Sequence, residues 1–475
     1  MTSTDLAVRS PLVERISAIS SIHPAAPAIT AAAGSLRYRD LEDLRIAWSA
    51  DLREKQARPG SIVALIVRDP LFLAPAFLAA RSAGLVPLLI DPHQPASRRA
   101  SVLTAARPAL TMQVRETPTY EPTTETPLTV DPSAGYLGFT SGTQGSPKGI
   151  VSNEHGALRF VDWEIETLGL RPGTRVALLS PPTFEVVIRE LFVALCSGGE
   201  LLAARPTVRI DPAAVVDWLA EEGAELVHAV PSLSTRWVKA SRGRQLPQLR
   251  WTVFAGEPLH SAQVLDWRRT APSTDVINLY GPSETTLAKF FYRVPNPPHP
   301  GLQPVGRPMP GTRLLTSAPP NEPFPVAIET PHGSFGYLPG TAPPADDAAL
   351  TRNSGVTTFA TKDLGMLTPD GNLVITGRSD SRVKRHGVFV DLTGIEQAAT
   401  ASPDVRLACC LQAADGTLVL FAETTTAEAH LSRQLRRELG PSAPDKVITL
   451  PRMPLSPNGK IDRRALAASE NGARP

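Results

Sequence analysis

Between residues 61 and 230, short apolar runs rich in β-branched side chains alternate with segments of helix length. A chain with that alternation can bury both kinds of element only as parallel sheets covered by helices. The pattern predicts strands at 62–67, 86–90, 175–179, 200–203 and 226–230. Helices are predicted at 71–83, from Phe184 and from Pro212. Two further strands, 251–255 and 276–279, each run into a loop of unusual composition, and in such sheets ligands gather where strands end. Proline and glycine crowd residues 295–347, which predicts a small β-rich subdomain there. A charged turn at 378–385 then precedes about a hundred residues, enough for a second domain. The expected fold is α/β, with a large domain over residues 1–379, a small α+β domain over 380–475, and a hinge at Asp380.

The 475 residues carry 48 basic and 46 acidic side chains, a net charge of +2. Such a balance argues against a nucleic-acid groove or a membrane-binding patch and points to a small molecule or a protein as partner. The three cysteines are Cys196, Cys409 and Cys410. The last two are neighbours that bridge poorly, so neither a disulfide framework nor a metal quartet is available, and a reducing, cytoplasmic setting is expected. The N-terminal stretch carries Asp5 and no apolar core, against a secretory signal. The most apolar stretch, 71–90, is broken by Pro75, Arg81 and Pro87 and does not read as a membrane span.

The segment Tyr136-Leu-Gly-Phe-Thr-Ser-Gly-Thr-Gln-Gly-Ser-Pro-Lys-Gly149 passes from a strand-like start into hydroxyls, glycines and a lysine. Glycines let backbone N–H groups turn toward an anion, hydroxyls add donors, and a lysine supplies charge for a polyphosphate. A glycine-rich surface turn is the plain alternative, and the density of hydroxyls beside Lys148 weighs against it.

This segment resembles the phosphate loop of the adenylate-forming superfamily, which includes acyl-CoA synthetases, luciferases and the adenylation domains of nonribosomal peptide synthetases. The match runs from Thr140 to Gly149, through Ser141, Gly142, Thr143, Gly145 and Lys148, with Gln144 where threonine is usual. Three more blocks resemble the family in the same order. Asn278-Leu-Tyr-Gly-Pro-Ser-Glu-Thr-Thr286 resembles the adenine and magnesium block. The resemblance implies that Asn278, Tyr280 and Gly281 border the adenine, that Glu284 ligates Mg²⁺ and that Thr285 meets the α-phosphate. It also sets Gly256 and Glu257 against the nucleotide. Thr361-Lys-Asp-Leu-Gly365 and Gly377-Arg-Ser-Asp380 resemble the ribose and hinge region. There Asp363 would accept both ribose hydroxyls, Arg378 would assist, and Lys362 replaces a usual glycine. Leu455-Ser-Pro-Asn-Gly-Lys-Ile-Asp-Arg-Arg464 resembles the C-terminal lysine loop, and Lys460 would stabilise the charge that develops during adenylation.

The implied chemistry is in-line attack of a carboxylate on the α-phosphorus of ATP, with Mg²⁺ and Lys460 offsetting the repulsion of the two anions. The small domain is then implied to be a mobile lid. It would rotate about Asp380, withdraw Lys460 and bring residues 384–387 forward so that a thiol can enter. The blocks 387–391 and 393–396 resemble peptide-synthetase adenylation domains more than acyl-CoA synthetases. No phosphopantetheine attachment sequence follows the lysine loop, so a separate carrier protein is the expected acceptor, with coenzyme A as the alternative. A silent scaffold of the same fold is a third reading, disfavoured by the joint presence of Lys148, Glu284, Asp363 and Lys460. The sequence leaves open whether a small helper protein assists.

In amino-acid-activating relatives an aspartate after a phenylalanine receives the substrate amine, and Phe184-Glu185 stands there, which keeps the charge one methylene further out. The implied pocket continues with Val186, Arg189, Ala229, Val253, Ala255, Leu279, Leu287 and Ala288. Two readings of Arg189 stand. Lying four residues after Glu185 on a predicted helix, it either pairs with Glu185 or points free into the pocket toward a polar group of the substrate. Residues 333–349 match the family poorly.

Overall fold

The computed structural model describes residues 10–470 apart from 124–125, 142–146, 386–387, 403, 414 and 457–459. Two mixed sheets form the larger part. The first has nine strands in the order Arg307–Pro308, Phe290–Val294, Asp275–Tyr280, Trp251–Ala255, Leu226–Ala229, Arg175–Leu178, Glu200–Ala203, Pro27–Ala31, Gly34–Arg37. The second has seven, in the order Gly336–Tyr337, Pro147–Asn153, Ala134–Ser141, Val86–Ile90, Ile62–Val67, Leu110–Val114, Pro118–Pro122. Each is parallel in its centre and antiparallel at its edges. The central strands read as unbroken apolar runs because both faces are covered; Val86–Ile90 is buried at every position.

One core cluster runs from Val63 and Leu65 of the seven-stranded sheet, through Phe77 and Phe192, to Val176 and Leu201 of the nine-stranded sheet. Phe77 belongs to the helix Leu73–Ser82 and Phe192 to the helix Val186–Cys196, and their rings meet edge to face at 5.0 Å. A helix apolar all round is a core helix. Every residue of Val186–Cys196 after Val186 is buried, so Arg189 and Glu190 enter the interior with it. The predicted helix at 71–83 begins as a 3-10 turn, Pro70–Phe72, capped by Asp69, before the α-helix proper starts at Leu73.

Arg81 and Glu154 tie the start of the helix Glu154–Leu168 to the helix Leu73–Ser82. Both are buried, with guanidinium Nη2 2.7 Å and Nε 2.9 Å from Glu154 Oε2. Ser10 and the Leu12 amide donate to the other oxygen, so neither charge is left unmatched.

The β-rich subdomain reaches further than its proline-rich stretch predicts. Strand Val356–Leu367 pairs with Pro323–Thr330, Leu350–Asn353 and Leu373–Arg378, which brings Asp363 and Arg378 into this sheet. Of residues 333–349, Gly336–Tyr337 joins the seven-stranded sheet and Pro344–Ala349 forms a short helix. Beyond it, Val405–Gln412, Leu418–Thr424 and Lys446–Leu450 form a three-stranded sheet. Helices Leu392–Thr400 and Glu428–Leu439 pack on it around Ile395, Leu420 and Leu431, a separate core. Asp380 lies in the 3-10 turn Ser379–Ser381 that links strands Leu373–Arg378 and Arg382–Arg385.

Candidate active site

The phosphate-loop segment is a hairpin, with Thr140 opposite Lys148 and Ser141 opposite Pro147. Gly142, Thr143 and Gly145 lie outside the described residues. At the hairpin end the Thr140 hydroxyl is buried, and among the described residues it has no hydrogen-bond partner. Lys148 Nζ is 3.0 Å from Asp346 Oδ2 and 5.7 Å from the centre of the Tyr337 ring. Tyr337 in turn donates to Glu284 Oε1 at 2.7 Å. The divergent 333–349 segment thus supplies partners to both Lys148 and Glu284.

Three residues expected to meet the nucleoside come together. Tyr280 Oη donates to Asp363 Oδ2 at 2.6 Å, and Arg378 Nη1 to Asp363 Oδ1 at 3.0 Å. Asp363 and Arg378 are opposite one another in an antiparallel pair, which fixes their meeting. Tyr280 ends the strand Asp275–Tyr280, and its hydroxyl is pushed well above its ordinary pKa by burial and by the adjacent Asp363. Other expected residues are used internally. Asn278 is buried and donates to the Pro304 carbonyl at 2.8 Å, and the Thr285 hydroxyl donates to the Pro282 carbonyl at 2.8 Å. A Cβ on Gly281 would fall 2.7 Å from Ala288 Cα, so glycine there lets the following chain fold back against the strand.

Gly256 follows strand Trp251–Ala255 with φ +87°, a backbone that glycine adopts without strain. A Cβ built on it would lie 3.5 Å from Lys460 Cε and 3.6 Å from Lys460 Nζ. The lysine of the C-terminal loop therefore stands over the strand end that borders the expected nucleotide. Glu257, beside it, accepts from the Ser232 amide at 3.0 Å; burial raises its pKa, and Ser232, Lys460 and Arg236 counter that rise. Arg236 donates to the Met453 carbonyl and Lys239 pairs with Glu423, two further contacts between the large part and the C-terminal part.

Glu185 sits at the N-terminus of the buried helix. Its Oε1 accepts from Tyr136 Oη at 2.7 Å and from the Leu287 amide at 3.2 Å, with Ser283 as a further donor. Burial raises its pKa in spite of those donors. Thr286 and Leu287 hold φ of +58° and +60°, costly for non-glycine residues, at about 1–3 kcal/mol each. That bulge is what aims the Leu287 amide at Glu185 and sets Leu287 and Ala288 in the wall. Phe184 and Val186 flank Glu185 and are half-buried.

Parallel register puts His228 beside Val253, and Ala255 beside Leu279. Ala229 is beside Phe254 and packs in the second core cluster, on the other face of the sheet from Val253. His228 therefore shares the face of Val253 where the sequence reading puts Ala229. Arg189, 3% exposed, forms no ion pair with Glu185, and among the described residues it makes no hydrogen bond at all. Of the two readings from sequence, pairing with Glu185 is the one that the geometry excludes.

The model of a family described as AMP-binding enzyme matches residues 112–330. Phosphinothricin tripeptide synthetase PhsB of Streptomyces viridochromogenes is 30% identical over 93% of this chain and 40% of its own length. The chain belongs to the adenylate-forming superfamily. Peptide synthetases are among the relatives that it matches. The chain spans well under half the length of the curated relatives it matches first. Among solved structures, that of IdnL7 aligns with TM-score 0.82 at 24% identity, covering 97% of this chain and 99% of the other. Klebsiella oxytoca NpsA, in complex with 3-hydroxyanthranilyl-AMSN, aligns with TM-score 0.83 at 20% identity, covering 98% and 100%.

Against this superfamily background, five residues that the sequence reading did not single out are built into the site: Tyr136, Glu164, His228, Lys289 and Asp346. Two were legible. In the helix Glu154–Leu168 the buried positions Ala157, Phe160, Val161, Glu164 and Leu168 follow helical spacing, so Glu164 is a carboxylate in a core stripe. Lys289, between Ala288 and Phe290, is a charge in an apolar run. Burial lowers its pKa to about 7 against the pull of Glu185, and its ammonium is spent on the Thr286 and Ala288 carbonyls. Among the described residues no group of three acidic, histidine or cysteine side chains forms a metal cage.

Proposed function

We propose that this chain uses ATP to convert a small amino acid into its aminoacyl-adenylate and then passes the acyl group to the phosphopantetheine thiol of a separate carrier protein. The observation that carries this reading is the position of Lys460 against Gly256 and beside Glu257, with the Asp363, Tyr280 and Arg378 cluster completed in the same cleft.

Asp363, its outer lone pairs oriented by Tyr280 and Arg378, accepts the ribose hydroxyls, and the Tyr280 ring packs on the adenine. Lys148 and the Thr140 hydroxyl meet the phosphates, for which Lys148 exchanges its contact with Asp346. Bound Mg²⁺ would draw charge from the phosphates, with Glu284 as its protein ligand. The substrate ammonium faces Glu185, whose buried charge it neutralises. Lys460 then bridges the carboxylate and the α-phosphate as charge builds on them. Thiol transfer follows rotation of residues 380–475 about Asp380, which removes Lys460.

An acyl- or aryl-CoA ligase shares the first step and differs in the acceptor. The test is to offer the chain ATP, Mg²⁺ and an activated acid together with either a phosphopantetheinylated carrier or coenzyme A. Mass gain on the carrier supports the proposal; thioester formed with coenzyme A alone contradicts it.

A further inference from the structure

Three buried polar side chains from three elements lie close together: Arg189 of the helix Val186–Cys196, Glu164 of the helix Glu154–Leu168 and His228 of the strand Leu226–Ala229. They are 3%, 1% and 2% exposed. His228 Nε2 and Glu164 Oε1 are 2.7 Å apart, and that is the group's one internal hydrogen bond. Among the described residues three atoms are left buried with no partner: Arg189 Nε, Glu164 Oε2 and His228 Nδ1. Each unsatisfied group costs roughly 1–3 kcal/mol, more where it is charged. Three together, from two helices and a strand, are not explained by packing. The neighbouring Glu190 shows what satisfaction looks like here: its carboxylate takes the Ser180 amide at 3.0 Å and the Ser180 hydroxyl at 2.7 Å.

The orphan donor of Arg189 and the orphan acceptor of Glu164 lie on the side of the nine-stranded sheet that carries Val253, Ala255 and Leu279. Val253, Ala255 and Leu279 on that face are apolar, and the Glu185 carboxylate is already met by Tyr136 and the Leu287 amide, so the trio is what remains there with unmatched hydrogen-bonding capacity among the described residues. Arg189 lies four residues beyond Glu185, a rise of about 6 Å along the helix, which sets the spacing between the two polar ends of the pocket.

We propose that the pocket selects a short amino acid whose far end carries a planar oxygen acceptor, a carboxylate or a carboxamide, received by the guanidinium of Arg189. This rests on the reading of the chain as an acid-activating enzyme. A carboxylate accepts from Arg189 in a charge-assisted pair; a carboxamide accepts from Arg189 and donates its N–H to Glu164 Oε2, satisfying two of the three orphans. Aliphatic acids of equal size leave all three unsatisfied, which is the arrangement in which a polar site rejects an apolar isostere most strongly.

The test is ATP/pyrophosphate exchange by the wild-type chain with aspartate, asparagine, leucine, alanine and anthranilate, repeated with Arg189→Met and Glu164→Gln. The expected kcat/KM for aspartate or asparagine exceeds that for leucine by about 10- to 100-fold, the loss typical of a broken hydrogen bond to a buried charge. Arg189→Met brings that ratio close to one by lowering the polar acids and raising leucine. Glu164→Gln, which keeps Arg189, separates the sources: a fall with asparagine assigns the carboxamide, and no fall with either acid assigns the carboxylate. Exchange that favours leucine or anthranilate in the wild type overturns this proposal and leaves acid activation standing. No exchange with any acid overturns both. Because the wild-type ratio alone decides, a variant that fails to fold does not rescue the proposal.

Discussion

Asp346 holds Lys148 at 3.0 Å through one carboxylate oxygen, and its other oxygen is 3.0 Å from Lys362 Nζ. Two lysines flanking the phosphate side of the cleft are therefore tethered to one acid, whose pKa they lower together against its partial burial. Phosphate binding must exchange these contacts. A partly exposed ion pair is worth about 0.5–1 kcal/mol, so Asp346→Asn is expected to lower the KM for ATP by about 2- to 5-fold at saturating acid. Steady-state exchange kinetics read this directly; a raised KM would mean that Asp346 positions the lysines more than it competes for them.

The nucleoside half of the cleft makes a graded prediction. Asp363→Asn removes the charge that Tyr280 and Arg378 orient, and is expected to raise the KM for ATP by more than 10-fold, as loss of a charged hydrogen-bond acceptor does. Tyr280→Phe keeps the ring and is expected to raise it only a few-fold. Equal effects of the two would remove the case for a ribose-binding carboxylate.

The buried ion pair of Arg81 and Glu154 is structural and distant in role from the chemistry. Arg81→Ala leaves Glu154 buried without its cation and is expected to cost about 3–5 kcal/mol of stability. Urea unfolding measures it, and a loss below 1 kcal/mol would contradict the assignment.

Two buried groups give the fold opposite pH slopes. Burial raises Glu190 from 4.5 to about 7 against the Ser180 hydrogen bonds, so between those values the folded chain holds more protons and stability falls as pH rises. Burial lowers Lys289 from 10.5 to about 7, so between pH 7 and 10.5 the unfolded chain holds more protons and stability rises with pH. Glu190→Gln is expected to flatten the slope below pH 7 and Lys289→Met the slope above it. Denaturation midpoints across pH 5–10 check both, and slopes unchanged by the variants would refute the assignment.

How much of this was legible follows from which forces act locally. The parallel sheets announce themselves because strands covered on both faces must be apolar throughout, as in Ile62–Val67 and Val86–Ile90. Asp363 and Tyr280 were legible from their blocks, but their 2.6 Å contact joins residues from two different sheets, which no local pattern encodes. The face of His228 depends on strand register, where a shift of one residue exchanges it with Ala229. Asp346 was hidden because its segment departs from the family's pattern, and its role arises only when the helix Pro344–Ala349 folds against the phosphate hairpin. The fate of Arg189 turned on a question that spacing cannot answer. Four residues of separation permits a pair with Glu185, and the folded chain satisfies Glu185 with Tyr136, Ser283 and the Leu287 amide instead.

The central claim is that acid activation runs through a cleft closed by Lys460. Acid-dependent ATP/pyrophosphate exchange by the wild-type chain and by Lys460→Ala tests it most directly. The account predicts exchange that requires a carboxylic acid and falls by about 100-fold or more in the variant, the scale of losing a charge that stabilises the transition state. Exchange undiminished in Lys460→Ala, or none with any acid in the wild type, would contradict it.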